Sequence, residues 1–268
     1  MEKKLLVLDI DGTLTNSEKN ITNATKEAIL NIMLQGHKVI LASGRPTPGM
    51  RRYEKELELE RYGGYLLSFN GARIIESRTG EIVYQRLLSL TLLPGLYAFA
   101  RENGCGLVTY LGDDVISAFP ADKYIKIEAG INGMPIRQVD HFLDFVDFSI
   151  NKCLMTAEPE KAKVLVEQMQ KRWGDVASIY RSEPYFIEIM PYNVNKATGL
   201  ERILEALGMK RENIVCCGDG YNDISMIQFA GVGVAMGNAQ PAVKEAADYI
   251  TAANDEDGLV EVIRKFFN

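Results

Sequence analysis

Short, almost wholly apolar runs alternate with amphipathic stretches along the first seventy residues. Residues 4–10 (KLLVLDI) are apolar at consecutive rather than alternate positions, the pattern of a strand buried on both faces. Residues 21–38 read as a helix. Thr22 can cap it, Ala28, Ile29, Ile32 and Met33 mark one apolar face, and Gly36 stops it. Residues 38–43 predict a second strand, 47–58 a helix, and 64–72 a third strand. This βαβαβ order predicts a parallel sheet with helices on both faces.

The pattern changes near residue 83. Residues 105–120 predict a hairpin turning at Gly112-Asp113, and 122–131 a short helix. Residues 150–156, 176–182 and 185–191 read as strands, with a helix over 158–173. Hairpin strands with separate helices predict an inserted α+β domain over 83–190. The βα alternation then resumes: helix 195–208, strand 213–217, helix 222–231, strand 232–236, and helices 242–249 and 257–267. The expected fold class is thus α/β, a Rossmann-like core made of 1–82 and 191–268, interrupted by the insert.

Composition narrows the function classes. The chain has 268 residues, 47% hydrophobic and 25% charged, enough for a full core. A net charge of -6 gives no electrostatic footprint for nucleic acid. An anionic substrate then needs local cations or a metal. The apolar run at the start is broken by Asp9, and no later run approaches a membrane span. Cys105, Cys153, Cys216 and Cys217 form no C-x-x-C and read as reduced, buried thiols of a cytoplasmic protein. With two histidines, His37 and His141, a histidine-rich zinc site or a Ser-His-Asp triad is poorly supplied.

The predicted core strands end in polar residues of distinct kinds. The first runs into Asp9 and Asp11, the second into Ser43-Gly44-Arg45, the third into Asn70-Gly71. The strand at 213–217 runs into Gly218-Asp219-Gly220, with Asn222 and Asp223 beyond. Open parallel sheets bind ligands outside the carboxyl ends of their strands. Four aspartates in one crevice repel one another unless a cation compensates. Oxygen ligands without His or Cys point to a hard cation, Mg²⁺ before Ca²⁺ or Zn²⁺. The Ser43 hydroxyl, the backbone at Gly44, the Lys196 ammonium and the Asn222 amide are donors suited to a phosphoryl group. Asp9 can attack phosphorus as a nucleophile, and Asp11 can exchange protons with the leaving oxygen and with water. Arg45 and Asn70 read equally well as substrate contacts or as structural groups. The glycines of GVGVAMG (231–237) lack phosphate-loop spacing and read as tight packing.

D-x-D-G-T at 9–13, Ser43 after a strand, Lys196, and G-D-G-x-N-D at 218–223 resemble, in order and spacing, the four motifs of the haloacid dehalogenase superfamily. The insert between the second and third motifs is similar to the C2-type cap (C2B, subclass IIB) of its Cof-like members. SGRP, NGA, PYFIEIMP, VNKATGL and GVGVAMGNA are similar to that subfamily's sugar-phosphate phosphatases. The resemblance covers nearly the whole chain and is weakest over 85–180.

It implies that Asp9 is the nucleophile and Asp11 the acid/base. It implies Mg²⁺ ligation by Asp9, the backbone carbonyl of Asp11, and Asp219, with Asp223 supporting the metal. It implies phosphate contacts from Ser43 and Lys196, with Asn222 nearby. Dehalogenases of the superfamily lack the second aspartate, so Asp11 argues for phosphoryl chemistry. The expectation is a Mg²⁺-dependent phosphatase of small phosphorylated metabolites, sugar phosphates first, with no nucleic-acid or membrane partner. The alternatives are a phosphomutase or phosphotransferase, a phosphatase of pyridoxal phosphate or flavin mononucleotide, and a non-enzymatic phosphometabolite-binding regulator.

Overall fold

The structure, a computed structural model, describes residues 3–267. It divides into two compact units. One runs to Tyr84 and resumes at Asn195; the other is Gln85–Val194. The first is built on an eight-stranded sheet in the order Tyr249–Ile250, Val232–Ala235, Ile214–Gly218, Leu5–Leu8, Lys38–Ala42, Tyr65–Ser68, Arg73–Glu76, Ile82–Gln85. From Tyr249–Ile250 to Tyr65–Ser68 every neighbouring pair is parallel.

The all-apolar strands are buried on both faces because helices cover both. Leu6 and Leu8 pack with Ile29, Ile32 and Met33 of helix Asn23–Leu34 and with Val262 and Ile263 of helix Gly258–Phe266. Leu5 and Val7, pointing the other way, pack with Leu200 and Ile203 of helix Lys196–Leu207 and with Met226. This is the α/β, Rossmann-like core that the hydrophobic pattern predicts. Thr22 caps the first helix as expected, accepting from the N–H of Thr25.

Several elements differ from expectation. Residues 64–72 are not one strand. The strand stops at Ser68, and Phe69 and Asn70 take positive φ (51° and 52°). That turn reverses the chain into an antiparallel strand, Arg73–Glu76. The helix expected over 47–58 divides into a 3₁₀ turn at Thr47–Met50, helix Arg51–Glu56, and helix Leu59–Tyr62 after a left-handed Glu58. The strand Ile82–Gln85 joins the core sheet across the position expected to open the insert.

The second unit carries a six-stranded sheet: Ala177–Glu183, Phe186–Pro191, Cys153–Thr156, Gly106–Leu111, Asp114–Ser117, Ile136–Gln138. The hairpin turns at Gly112 and Asp113 as predicted. Alternation sends successive residues to opposite faces. Leu107, Cys153 and Met155 meet helices Leu93–Glu102 and Pro159–Trp173. Val108 and Leu154 meet Tyr124, Ile125 and Ala129 of helix Lys123–Asn132. The helix Leu93–Glu102 had no counterpart in the expected elements.

Leu8, with no exposed surface, ends the central strand one residue before Asp9. Leu8→Ala is expected to cost about 2–5 kcal/mol through lost burial and a residual cavity. The drop in urea midpoint measures it.

Candidate active site

Asp9 extends the first strand by one residue. Its N–H donates to the Cys217 carbonyl (3.1 Å) of the neighbouring strand. The chain then turns sharply, with Leu14 N–H donating to Asp9 O (3.1 Å) and Thr15 N–H to Ile10 O (3.0 Å). Gly12 sits at φ +85°, and a Cβ there would overlap the Asp219 carboxylate. The turn therefore needs glycine both for its conformation and for its closeness to Asp219. Thr13 Oγ1 donates to Asp219 Oδ1 (2.7 Å), joining the first and fourth motifs.

Lys196 is the first residue of its helix. Asn195 caps that helix, accepting from the N–H of Thr198 (3.0 Å). The Lys196 side chain is wholly buried. Its ammonium donates to Asp9 Oδ1 (2.5 Å), Asp223 Oδ1 (2.5 Å) and the Ala42 carbonyl (2.8 Å), which uses all three protons. Burial alone opposes its charge, but Asp223 and Asp9 outweigh burial and hold its pKa above that of an ordinary lysine. Asp223 Oδ2 accepts from the N–H groups of Asp219 (2.9 Å) and Gly220 (2.9 Å), so its carboxylate also ties down the loop that carries Asp219.

Ligand atoms of Asp9, Asp219 and Asp223 lie within 4.8 Å of one another. Three carboxylates against one ammonium leave a formal charge of -3 + 1 = -2. Burial and the nearby Asp223 push Asp9 well above the usual carboxylate range. Burial raises Asp219 to about 6, with Asp223 adding to the effect and the Thr13 hydrogen bond opposing it. Such a crowded, all-oxygen, net-negative group fits a hard divalent cation.

Asp11 faces elsewhere. Arg45 grips its carboxylate with two bonds, Nε to Oδ2 (2.7 Å) and Nη2 to Oδ1 (2.8 Å), and Lys19 Nζ donates to Oδ1 (3.0 Å). Burial raises the Asp11 pKa, but Arg45 and Lys19 overcome it and bring it down to about 2. The Asp11 side chain is thus no part of the carboxylate group; the role expected of it as a ligand was through its backbone carbonyl. Arg45, a candidate substrate contact from sequence, spends its guanidinium on Asp11 and on Gly49 O (3.4 Å).

Ser43 is buried. Its Oγ accepts from the Arg45 N–H (3.2 Å), and its carbonyl accepts from the Asn70 N–H (2.9 Å). Asn222 Nδ2 donates to Asn70 Oδ1 (3.0 Å), and Gly44 lies against the Asn70 amide. Ser43, Gly44, Asn70 and Asn222 therefore meet in one network. Lys19 escaped the sequence reading. A lysine in the turn NSEKN carries no signal that it reaches back eight residues.

A parallel α/β core with acidic groups and a buried lysine at its strand ends defines a class of enzymes that handle anionic groups. Residues 6–263 match the haloacid dehalogenase-like hydrolases, and the chain belongs to that family. A haloacid dehalogenase-like hydrolase from Bacteroides thetaiotaomicron shares the fold at a TM-score of 0.94 with 44% identity, over 98% of this chain and 99% of that one. The sugar phosphatase BT4131, of HAD subclass IIB, is similar at a TM-score of 0.83 with 27% identity, over 98% and 99%. The 5-amino-6-(5-phospho-D-ribitylamino)uracil phosphatase YcsE of Bacillus subtilis is 31% identical over 261 residues, 97% of this chain and 94% of that protein. No helix among the described residues is long and apolar enough to cross a membrane.

Added Mg²⁺ is expected to raise the melting temperature, and a chelator to reverse the rise. Asp219→Asn, which removes one negative charge from the group, should shrink the increment. An identical increment in the variant would place the ion elsewhere.

Proposed function

We propose that the chain is a Mg²⁺-dependent phosphatase of small phosphorylated metabolites, working through a phosphoryl group carried on Asp9. One observation carries the reading. A buried lysine fixes Asp9 at a strand end, beside further carboxylates and within a family of hydrolases. Asp9, the Asp11 carbonyl and Asp219 would hold the cation, with Asp223 supporting them. When bound, Mg²⁺ supplies positive charge that shields a phosphate from these carboxylates.

The residues then divide the work. A carboxylate oxygen of Asp9 attacks phosphorus; the bond to the ester oxygen breaks as the bond to Asp9 forms. Asp11, once released from Arg45 and Lys19, takes up a proton from solvent and gives it to the leaving oxygen. In the second step Asp11 takes a proton from the attacking water, and the bond between phosphorus and Asp9 breaks. Lys196, Ser43 Oγ, the backbone at Gly44 and Asn222 steady the charge on the transferring oxygens. Asn70 orients Asn222 through its side chain.

Sugar phosphates are the substrate class we favour, supported by the similarity to a sugar phosphatase over nearly the full chain. A phosphorylated precursor of a flavin is the second reading, supported by the similarity to YcsE. The insert, Gln85–Val194 in the structure, is the part we assign to substrate selection.

Phosphate release from a panel of sugar phosphates, pyridoxal phosphate, flavin mononucleotide and ribitylaminouracil phosphate, with Mg²⁺ and with chelator, tests the reading. Metal-dependent release is expected. Asp9→Asn should abolish it with the fold intact, and Lys196→Ala should slow it by about 10²-fold or more. Isomerised sugar phosphate in place of inorganic phosphate would mark a mutase. Full turnover by Asp9→Asn would overturn the assignment of the nucleophile.

A further inference from the structure

Gly237 lies against the chain at 252–253. A Cβ there would come within 2.7 Å of the Ala253 nitrogen, and its own N–H donates to the Ala252 carbonyl (3.0 Å). This docking carries the loop 236–240 past both acidic turns. Met236 N–H donates to the Gly218 carbonyl (3.0 Å), and Gln240 N–H to the Asp219 carbonyl (3.1 Å). Between them, Asn238 Nδ2 donates to the Gly12 carbonyl (2.8 Å). Asn238 Oδ1 accepts from the Asn254 N–H (3.0 Å), so both ends of the one amide are engaged. A single short loop thus holds the backbone of the turn after Asp11 and the backbone at Asp219.

Gly12 is where the first turn is least constrained. The closeness of Asp219 and the φ of +85° require glycine there. Glycine also has the widest choice of backbone angles, so its own sterics do not keep the turn in one conformation. The other bonds of the turn hold the carbonyls of Asp9 and Ile10. The Asp11 and Gly12 carbonyls belong to successive peptides that meet at the Gly12 Cα, and rotation there swings one against the other. The bond from Asn238 fixes the Gly12 carbonyl and so limits that rotation. Asn238 is exposed, and a hydrogen bond open to water adds little to folding. Its consequence is the orientation of a peptide rather than the stability of the fold.

We propose that Asn238 is a positioning residue for the cation: by fixing the Gly12 carbonyl, it keeps the neighbouring Asp11 carbonyl available to Mg²⁺ beside Asp9 and Asp219. The proposal rests on the metal reading above. Groups that orient ligands without touching the ion carry a substantial part of its affinity. Asn238 lies outside D-x-D-G-T and G-D-G-x-N-D, 226 residues from the glycine it holds.

The test titrates Mg²⁺ by calorimetry into metal-free wild type, Asn238→Ala and Asn254→Ala, and records the metal-free melting temperature of each. Asn238→Ala removes the bond to Gly12. Asn254→Ala removes a bond of the same kind, Nδ2 to the Thr15 carbonyl (2.8 Å), from the same turn without touching Gly12. Asn238→Ala is expected to weaken Mg²⁺ binding about tenfold or more, with a metal-free melting temperature within about 2 °C of wild type. Asn254→Ala should bind Mg²⁺ within about twofold of wild type. Unchanged affinity in Asn238→Ala, with or without a lower melting temperature, would overturn the proposal, and so would equal weakening in the two variants. A wild type that binds no Mg²⁺ overturns the metal reading instead, and this proposal with it.

Discussion

The site depends on an ammonium held between two carboxylates. Lys196 bridges Asp9 and Asp223 from inside the core, its own side chain wholly buried. Removing one member of such a group leaves uncompensated buried charge, a cost of about 3–5 kcal/mol. Lys196 fixes the Asp9 oxygens in place, and it makes burial of the acids tolerable. The third proton, on the Ala42 carbonyl, also ties the lysine to the strand that leads into Ser43.

The parallel sheet makes this convergence possible. Lys196 and Asp9 are 187 residues apart, and Thr13 and Asp219 are 206 apart. Each lies just beyond a strand end or at a helix start. The twist and register of neighbouring strands bring these ends together without any local sequence signal. The loops are then joined directly. Asp223 accepts from the backbone of the Asp219 loop, and Asn70 links the Ser43 loop to Asn222. A ligand thus meets groups held by several strands at once, which limits how far any of them can relax toward bulk solvent.

The chain announces the strands and their polar ends because burial on both faces leaves almost no polar residue inside them. An aspartate at the end of LLVL is therefore conspicuous. The turn at Phe69 and Asn70 is not. Two non-glycine residues with positive φ have no pattern in a sequence, so the strand Arg73–Glu76 stayed hidden. Helix Leu93–Glu102 was equally silent, since Pro94 and Gly95 sit in its first turn and read as a loop. The engagement of Asp11 by Arg45 and Lys19 rests on a left-handed loop and on side-chain rotamers, which residue order does not record. The motifs put these residues at neighbouring strand ends, but they do not say which of them touch each other.

Asp9 and Asp11 are two positions apart and live in opposite electrostatic surroundings. Asp9 is buried among other acids and pushed up; Asp11 is set between two cations and pushed down. Neighbouring acids with pKa values driven apart are how a fold assigns different tasks to one residue type. The difference also explains why the proposed reaction needs added positive charge at one aspartate and not at the other. Asp11 already has its counter-charges in Arg45 and Lys19 and is ionised without help. Asp9 shares one lysine with Asp223 and has Asp219 nearby, so full ionisation of all three leaves two charges uncompensated. A divalent cation matches that deficit in charge, and the same cation neutralises part of the dianion that Asp9 would attack. In the proposed reaction the nucleophile and its electrophile therefore draw on a common source of positive charge, while the charge on Asp11 is balanced separately by the chain.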